Sequence, residues 1–306
     1  QKAIEEVRRM AQEQNPEQIY SLYVLDAGRL VGVLSLRDLI LGEPSASIAM
    51  YVTDNVVKVS PETDQEEVAR TFAKYDLTAV PVVDHAGQML GVVTIDDVVD
   101  VVIEEASEDA QKMAGVVPVD KSYLDITFLT FVRSRVTWLV VLFFGELLTA
   151  NVMRHYESEI AALIDLVIFV PLIISSGGNS GSQSSSLIIR ALALGQIAPG
   201  DWIKVFWREL RVGITLGILL SLVGFARTIL LGESAQPLVM GIVVGTSLIA
   251  VVTLGTLVGS LMPLLIKRLG LDPAVSSTPF VASLVDVFGL AVYFTVSRLV
   301  LNFMAA

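Results

Sequence analysis

The sequence contains no cysteine, and its only histidines are His85 and His155. The absence of cysteine excludes disulfides, thiolate metal sites and cysteine nucleophiles. Neither histidine lies in a serine–histidine–aspartate arrangement, and the chain has no phosphate-binding P-loop. A net charge of −11 and the lack of a basic patch argue against nucleic-acid binding. We therefore predict that the chain is not an enzyme, not an ATP-driven pump and not a nucleic-acid-binding protein.

Charged residues are also scarce, at 17% of the chain against 53% hydrophobic residues, and the mean hydropathy is +0.67. Residues 1–122 hold 22 acidic and 10 basic residues, whereas residues 123–306 hold 10 acidic and 11 basic residues. This split predicts an acidic soluble half followed by an apolar membrane half. Because the chain begins at Gln1 without a signal peptide, the soluble half is predicted to be cytoplasmic.

Five stretches of the second half are apolar over the ~20 residues that a membrane-spanning helix needs. They cover residues 136–153, 160–189, 212–231, 237–266 and 279–303. If the spans alternate in direction, the basic residues that flank them fall on one side of the membrane. The positive-inside rule then places the C-terminus outside the cell. Three G-x-x-x-G pairs are predicted to be helix-packing faces: Gly213 with Gly217, Gly241 with Gly245, and Gly255 with Gly259.

One acidic residue, Asp286, lies inside the last apolar stretch. A charged carboxylate in hydrocarbon costs at least ~2.5–3.5 kcal/mol on insertion scales, so such a residue normally faces a cavity or a polar partner. No lysine or arginine lies near Asp286 in its own span. A protonated carboxyl group bonded to a neighbouring helix is one explanation, and a cation site on a pathway through the membrane is the other.

The segment PLIISSGGNSGSQSSSLIIRAL, residues 171–192, interrupts the second apolar stretch with small and polar residues. Such a segment predicts either a break that lines water or a face where helices pack closely. Together with Asp286 it indicates a hydrophilic pore lined by the second and fifth spans. An oxygen-only site suits Mg²⁺ or Ca²⁺, and two copies of Asp286 facing each other in a homodimer would select cations.

An internal repeat occupies the acidic half. YVLDAGRLVGVLSLRDLI, residues 23–40, echoes PVVDHAGQMLGVVTIDDVV, residues 81–99, at an offset of 59 residues. Each copy predicts two strands joined by a turn, followed by a helix that opens with G-x-x-[ST]-x-x-D. The linker that follows, residues 94–120, predicts one long acidic helix.

The repeat resembles a tandem pair of CBS domains, and GGNSGSQ with PFVASLVDVFG resembles the membrane motifs of the MgtE family of magnesium channels and transporters. The resemblance implies an α/β CBS-domain pair (Bateman module) followed by an all-α polytopic membrane domain of five transmembrane helices. The CBS pair would cover residues 1–102, with a first copy (1–43) truncated at its start and a second at 44–102. An acidic plug helix would cover 103–122 and the transmembrane domain 123–306. The chain would form a homodimer in the plasma (inner) membrane.

The resemblance also implies the functional residues. Asp286 would hold hydrated Mg²⁺ at the dimer axis, and Thr278 stands where family members usually carry asparagine. The further pore residues would be Asn179, Pro279, Gly177 and Gly178. Further residues would sense cytosolic Mg²⁺ and close the uptake route when its concentration is high. They would be Glu66, the Ala73 carbonyl, Asp76, Asp97, Asp100, Glu108, Asp109 and Asp272.

Three further possibilities stay open from the sequence. Ser35, Asp38, Thr94 and Asp97 have the residue types that CBS domains use on ribose and phosphate, so ATP is a possible modulator. The chain could be a divalent-cation exchanger coupled to Na⁺ or H⁺, whose flux would depend on that gradient. It could instead be a non-transporting, membrane-anchored nucleotide sensor, which would need neither Asp286 nor the polar second span.

Overall fold

The computed structural model describes residues 2–14, 21–162, 165–231 and 236–305. The chain divides into two compact units, Gln1–Ser107 and Glu108–Ala306. The first unit is a small α/β unit and the second is almost entirely helical.

The first unit contains the predicted repeat. Its elements are α1 (Lys2–Gln14), β1 (Ser21–Asp26), β2 (Arg29–Ser35), α2 (Leu36–Leu41), α3 (Gln65–Tyr75), β3 (Ala79–Val83), β4 (Met89–Thr94) and the part of α4 (Ile95–Met113) up to Ser107. The strands β1 and β2 pair antiparallel, as do β3 and β4, and each hairpin leads into a helix. The prediction of two strand–turn–strand–helix copies is confirmed.

The two hairpins meet at their turns. Gly28 and Gly87 both have left-handed backbone angles, with φ of +81° and +80°, which glycine adopts without strain. The Leu30 N–H donates to the Gly87 carbonyl, and the Met89 N–H donates to the Gly28 carbonyl, both at 3.0 Å. The repeat therefore has matching turns that bond to each other, as expected of two copies of one structural unit.

The helix α4 is shorter than the linker prediction. It ends at Met113 rather than continuing to Asp120. Gly115 has a φ of +71°, and the Val116 N–H donates back to the Gln111 carbonyl at 2.9 Å. This is the hydrogen bond of a glycine-terminated helix end. Because Gly115 was visible in the sequence, the end of the helix could have been predicted.

The second unit is built from long helices. They are α5 (Phe128–His155), the short α6 (Glu157–Ala162), α7 (Asp165–Ala193), α8 (Trp202–Leu231), α9 (Pro237–Arg268) and α10 (Thr278–Ala305). Among the described residues, four segments are long and apolar enough to cross a membrane: Phe128–His155, Pro199–Leu231, Pro237–Arg268 and Thr278–Met304. The helix α7 has the length, at 29 residues, but its polar middle leaves it outside this group. The count of five spans therefore remains a prediction.

Of the two alternatives for the second apolar stretch, the structure shows the close-packing face and not the break. The helix α7 runs without interruption from Asp165 to Ala193, through the whole glycine- and serine-rich motif. The motif instead lets backbones approach: a Cβ added to Gly255 of α9 would clash with the Gly177 carbonyl oxygen, and one added to Gly259 would clash with that of Gly181. With no water competing for its backbone groups, a glycine-rich helix stays intact when packed on a neighbour.

The helix α9 forms the centre of this unit, with Val243, Val244, Val251 and Val252 all fully buried. The remaining G-x-x-x-G predictions are confirmed as packing faces. A Cβ at Gly213 or Gly217 would lie within 3 Å of α9, and one at Gly241 or Gly245 would lie within 3 Å of α8.

Candidate functional site

The helices α7 and α10 lie side by side over the two motifs that the sequence singled out. The Ser185 hydroxyl donates to the Ser276 carbonyl at 3.0 Å, and the Ser182 hydroxyl donates to the Thr278 carbonyl at 3.5 Å. One turn further, a Cβ added to Gly178 would lie 3.9 Å from Ala282. The two helices therefore run antiparallel.

The outer face of α7 carries polar side chains. Ser175, Asn179 and Gln183 are exposed, and their spacing of four residues puts them on one face of the helix. We call these three residues the α7 polar face. By contrast, the predicted pore residues Gly177 and Gly178 are buried between helices, so their observed role is to allow close packing.

Asp286 lies on the same side of α10 as the contacts with α7. Thr278, Ala282 and Asp286 follow one another at intervals of four residues, and the first two contact α7. Thr278 is exposed, whereas Pro279 and Asp286 are partly buried. Asn179 therefore lies on α7, and Thr278 and Asp286 lie on the helix that packs against it, with the α7 polar face open on the surface of the chain.

A second acidic residue, Glu146 of α5, was missed in the sequence. Its carboxyl group lies close enough to that of Asp286 for the two to interact. The contacts between α5 and α10 explain this pairing, because the Trp138 indole donates to the Ser277 hydroxyl at 2.9 Å and the Tyr156 hydroxyl bonds the Thr295 hydroxyl at 2.7 Å. Glu146 lies between these two contacts on α5, as Asp286 does on α10. The sequence did contain a signal for Glu146, because it is an acidic residue inside the first predicted span.

The predicted sensing residues Glu108 and Asp272 are joined by a lysine. The Lys112 ammonium lies 2.6 Å from Glu108 Oε1 and 2.6 Å from Asp272 Oδ2. Partial burial by itself would lower the pKa of Lys112, but its hydrogen bonds to Asp272 and Glu108 raise that pKa above its ordinary value. The other Asp272 oxygen accepts a hydrogen bond from the Ala274 N–H at 2.9 Å. Asp109 follows Glu108 on the same helix and is partly buried.

The other predicted sensing residues lie in the first unit. Glu66 stands in the first turn of α3 and pairs with Arg70. Ala73 is in the last turn of that helix, and Asp76 ends it in a left-handed conformation. Asp97 and Asp100 are exposed on α4. Among the described residues, no three acidic or histidine side chains are grouped closely enough to hold a metal ion.

The predicted nucleotide-binding residues act as helix caps in the structure. The Ser35 hydroxyl accepts a hydrogen bond from the Arg37 N–H at 3.1 Å at the start of α2, where Asp38 is exposed. In the second copy, the Thr94 hydroxyl donates to Asp97 Oδ2 at 2.8 Å at the start of α4. The equivalent residues of the two copies therefore occupy equivalent places.

Comparison with known proteins agrees with this architecture. A family model described as "Divalent cation transporter" matches residues 170–296, and the CBS domain model matches residues 2–42 and 48–104. The chain is 44% identical over 305 residues to "Magnesium transporter MgtE" of Thermus thermophilus, covering 98% of this chain and 66% of that protein. It is 36% identical over 287 residues to the Bacillus subtilis protein of the same name, covering 92% of this chain and 61% of that protein.

A solved structure, the cytosolic domain of the Mg²⁺ channel MgtE in complex with ATP, is 52% identical over 32% of this chain and 41% of that one, with a TM-score of 0.30. The chain spans about two thirds of the length of the Thermus thermophilus protein, at 66%, and somewhat less of the Bacillus subtilis protein, at 61%. The relatives are named as transporters, in agreement with the prediction that the chain is not an enzyme. The chain belongs to the MgtE family, as a multi-pass membrane protein in which CBS domains precede the transporter domain.

Proposed function

We propose that this chain forms a pathway for Mg²⁺ uptake across the membrane, with Asp286 as the residue that holds the ion. The observation that carries the proposal is the α7 polar face, which lies on the helix packed against the one that carries Asp286. Polar side chains at membrane depth are tolerated where they face water or protein, not where they face lipid. The α7 polar face is exposed on the single chain, so something other than lipid must cover it.

In a homodimer, a second copy of the chain would cover the α7 polar face. Two copies related by a twofold axis could place their α7 polar faces and Asp286 side chains around one water-filled passage. Each copy would offer one carboxylate, together with the Asn179 amide and the Thr278 hydroxyl. Mg²⁺ loses its water reluctantly, so a sparse ring of oxygens suits the hydrated ion as the transported substrate. The membrane-anchored sensor is disfavoured because an anchor needs none of these residues.

The test of this function is Mg²⁺ flux in proteoliposomes that contain the purified chain, with one ion changed at a time. We expect a Mg²⁺ gradient alone to drive flux, without a Na⁺ or H⁺ gradient. Flux that stops when those gradients are removed would instead support the coupled exchanger. Replacement of Mg²⁺ by Mn²⁺, Co²⁺ or Ca²⁺ in the same vesicles measures the selectivity.

Gating by cytosolic Mg²⁺ is the second part of the proposal. Close pairs of carboxylates repel by ~1–4 kcal/mol, depending on the effective dielectric constant. Mg²⁺ bound between such groups removes that repulsion and favours the state in which they are close. We propose that Glu66, the Ala73 carbonyl, Asp76, Asp97, Asp100, Glu108, Asp109 and Asp272 contribute to such sites and that occupied sites close the pathway.

Lys112 is expected to weaken Mg²⁺ binding at the proposed site that contains Glu108 and Asp272. Its ammonium already offsets one of the two negative charges of Glu108 and Asp272, so Mg²⁺ must displace Lys112 or bind less tightly. In the Lys112→Gln variant, we expect half-maximal closure at about two- to fivefold lower Mg²⁺, because partly exposed ion pairs contribute up to ~1 kcal/mol. The measurement is flux against internal Mg²⁺, with the exposed Lys121→Gln as the matched control. An unchanged or higher closing concentration in Lys112→Gln would contradict this role.

ATP binding to the CBS pair remains a separate proposal. It rests on the residue types and equivalent positions of Ser35, Asp38, Thr94 and Asp97. Titration of the whole chain with ATP should give saturable binding that Asp97→Ala weakens. Because Asp97 is also a proposed cation site, Asp38→Ala tests nucleotide binding without touching that site. Binding that neither substitution affects would contradict the proposal.

A further inference from the structure

The helical unit has an apolar groove beside the C-terminal end of α9. It runs between the turn that precedes α8 and the last turns of α9, and its volume is about 460 Å³. Pro199 and Trp202 form one wall. The other wall includes Leu257, Leu261 and Leu265, which share one side of α9 because they are four residues apart.

The groove has a single charged residue, Arg268, among the residues that line it. Arg268 is the last residue of α9, is exposed and forms no ion pair with any residue that the structure describes. A guanidinium group with no ion pair in the described part of the chain therefore lies at one end of an otherwise apolar groove.

The position of the groove along α9 indicates how deep each part of the groove lies in the membrane. The helix is apolar from Pro237 onward and ends with Lys267 and Arg268, so Arg268 lies where the hydrocarbon gives way to the headgroups. Trp202, which is 43% exposed, lies at the same end, as expected of an aromatic residue at the interface. The leucines of α9 extend from there towards the middle of the membrane.

This arrangement matches an amphiphile with an anionic head and a long apolar tail. We propose that the groove binds one anionic phospholipid, with its acyl chain along Leu257, Leu261 and Leu265 and its phosphate on Arg268. Basic pockets between transmembrane helices on the cytoplasmic side are known to select such headgroups, and this end of α9 is the side that the flanking charges predict to be cytoplasmic. The inference depends on the membrane position of the unit and not on Mg²⁺ transport.

The test uses Trp202 as a reporter of lipid contact. The whole chain is reconstituted in phosphatidylcholine vesicles that contain a small, increasing fraction of phosphatidylglycerol brominated on one acyl chain. In a second series the brominated lipid is phosphatidylcholine. Bromine quenches nearby tryptophan fluorescence, and the difference between the natural chain and a Trp202→Phe variant isolates the contribution of Trp202 from those of Trp138 and Trp207.

We expect half-maximal quenching of Trp202 at about fivefold lower mole fraction of the anionic lipid than of phosphatidylcholine, the factor typical of one basic group near a membrane surface. Arg268→Gln should remove that preference, whereas Lys267→Gln, which changes a neighbouring charge outside the groove, should keep most of it. Equal quenching by both lipids would mean ordinary contact with bulk lipid and would overturn the proposal. Quenching by neither lipid would mean that protein, such as a second copy, fills the groove, and would also overturn it.

Discussion

The Asp286→Asn variant is expected to lose Mg²⁺ flux by at least about 100-fold while remaining folded. The substitution keeps the size of the side chain and removes its charge. At ~4 Å and an effective dielectric constant of ~20, one pair of unit charges attracts by ~4 kcal/mol, and each 1.4 kcal/mol corresponds to a factor of ten. Two altered copies in a dimer enlarge the loss. The measurement is Mg²⁺ flux into proteoliposomes at equal protein content.

The control for this variant is Glu157→Gln, which removes the charge of an exposed acidic residue at the start of α6 rather than of one in the proposed pathway. Thermal unfolding in detergent shows whether each variant keeps its fold. If the Asp286→Asn variant carries as much flux as the control, Asp286 does not hold the ion in the pathway. This result is independent of the gating proposal.

The second large effect is expected when the acidic side chains of α4 are neutralised together. In a variant with Asp97, Asp100, Glu108 and Asp109 changed to alanine, millimolar internal Mg²⁺ should no longer close the pathway. The concentration for half closure should rise by about tenfold or more, because several lost sites combine to shift the balance between open and closed states. Flux in the absence of internal Mg²⁺ should be retained.

A matched control separates cation sensing from net charge. Changing four exposed acidic residues of the first unit to alanine alters the net charge equally, and Asp26, Glu43, Asp54 and Glu67 serve this purpose. The control should still close at millimolar Mg²⁺. If the α4 variant also closes there, the sensing role of these residues is wrong.

The sequence predicted those features that depend on local pattern. The two hairpins follow from alternating residues around turns at Gly28 and Gly87, and the packing of α8 on α9 follows from glycines spaced one turn apart. Asp286 stood out because a carboxyl group is costly among apolar residues. The family motifs added the expected roles of Asn179 and Thr278.

The contacts that could not be predicted join residues far apart in the chain. Glu146 meets Asp286 only because the contacts of Trp138 and Tyr156 align α5 with α10. Lys112 meets Asp272 across 160 residues of sequence. The continuity of α7 stayed open for a related reason: its glycines pack against the backbone of α9, which the sequence of α7 alone does not reveal.

The most direct test of the central claim is the exposure of the α7 polar face to water within the membrane. Because the chain has no cysteine, a cysteine introduced by a single substitution is the only thiol in the chain that a reagent can label. Asn179→Cys and Gln183→Cys should react with a charged, water-soluble thiol reagent, and Mg²⁺ should slow that reaction. Leu219→Cys, at an exposed apolar position of α8, should not react. Failure of both α7 variants to react in an otherwise active chain would show that this face does not line the Mg²⁺ pathway.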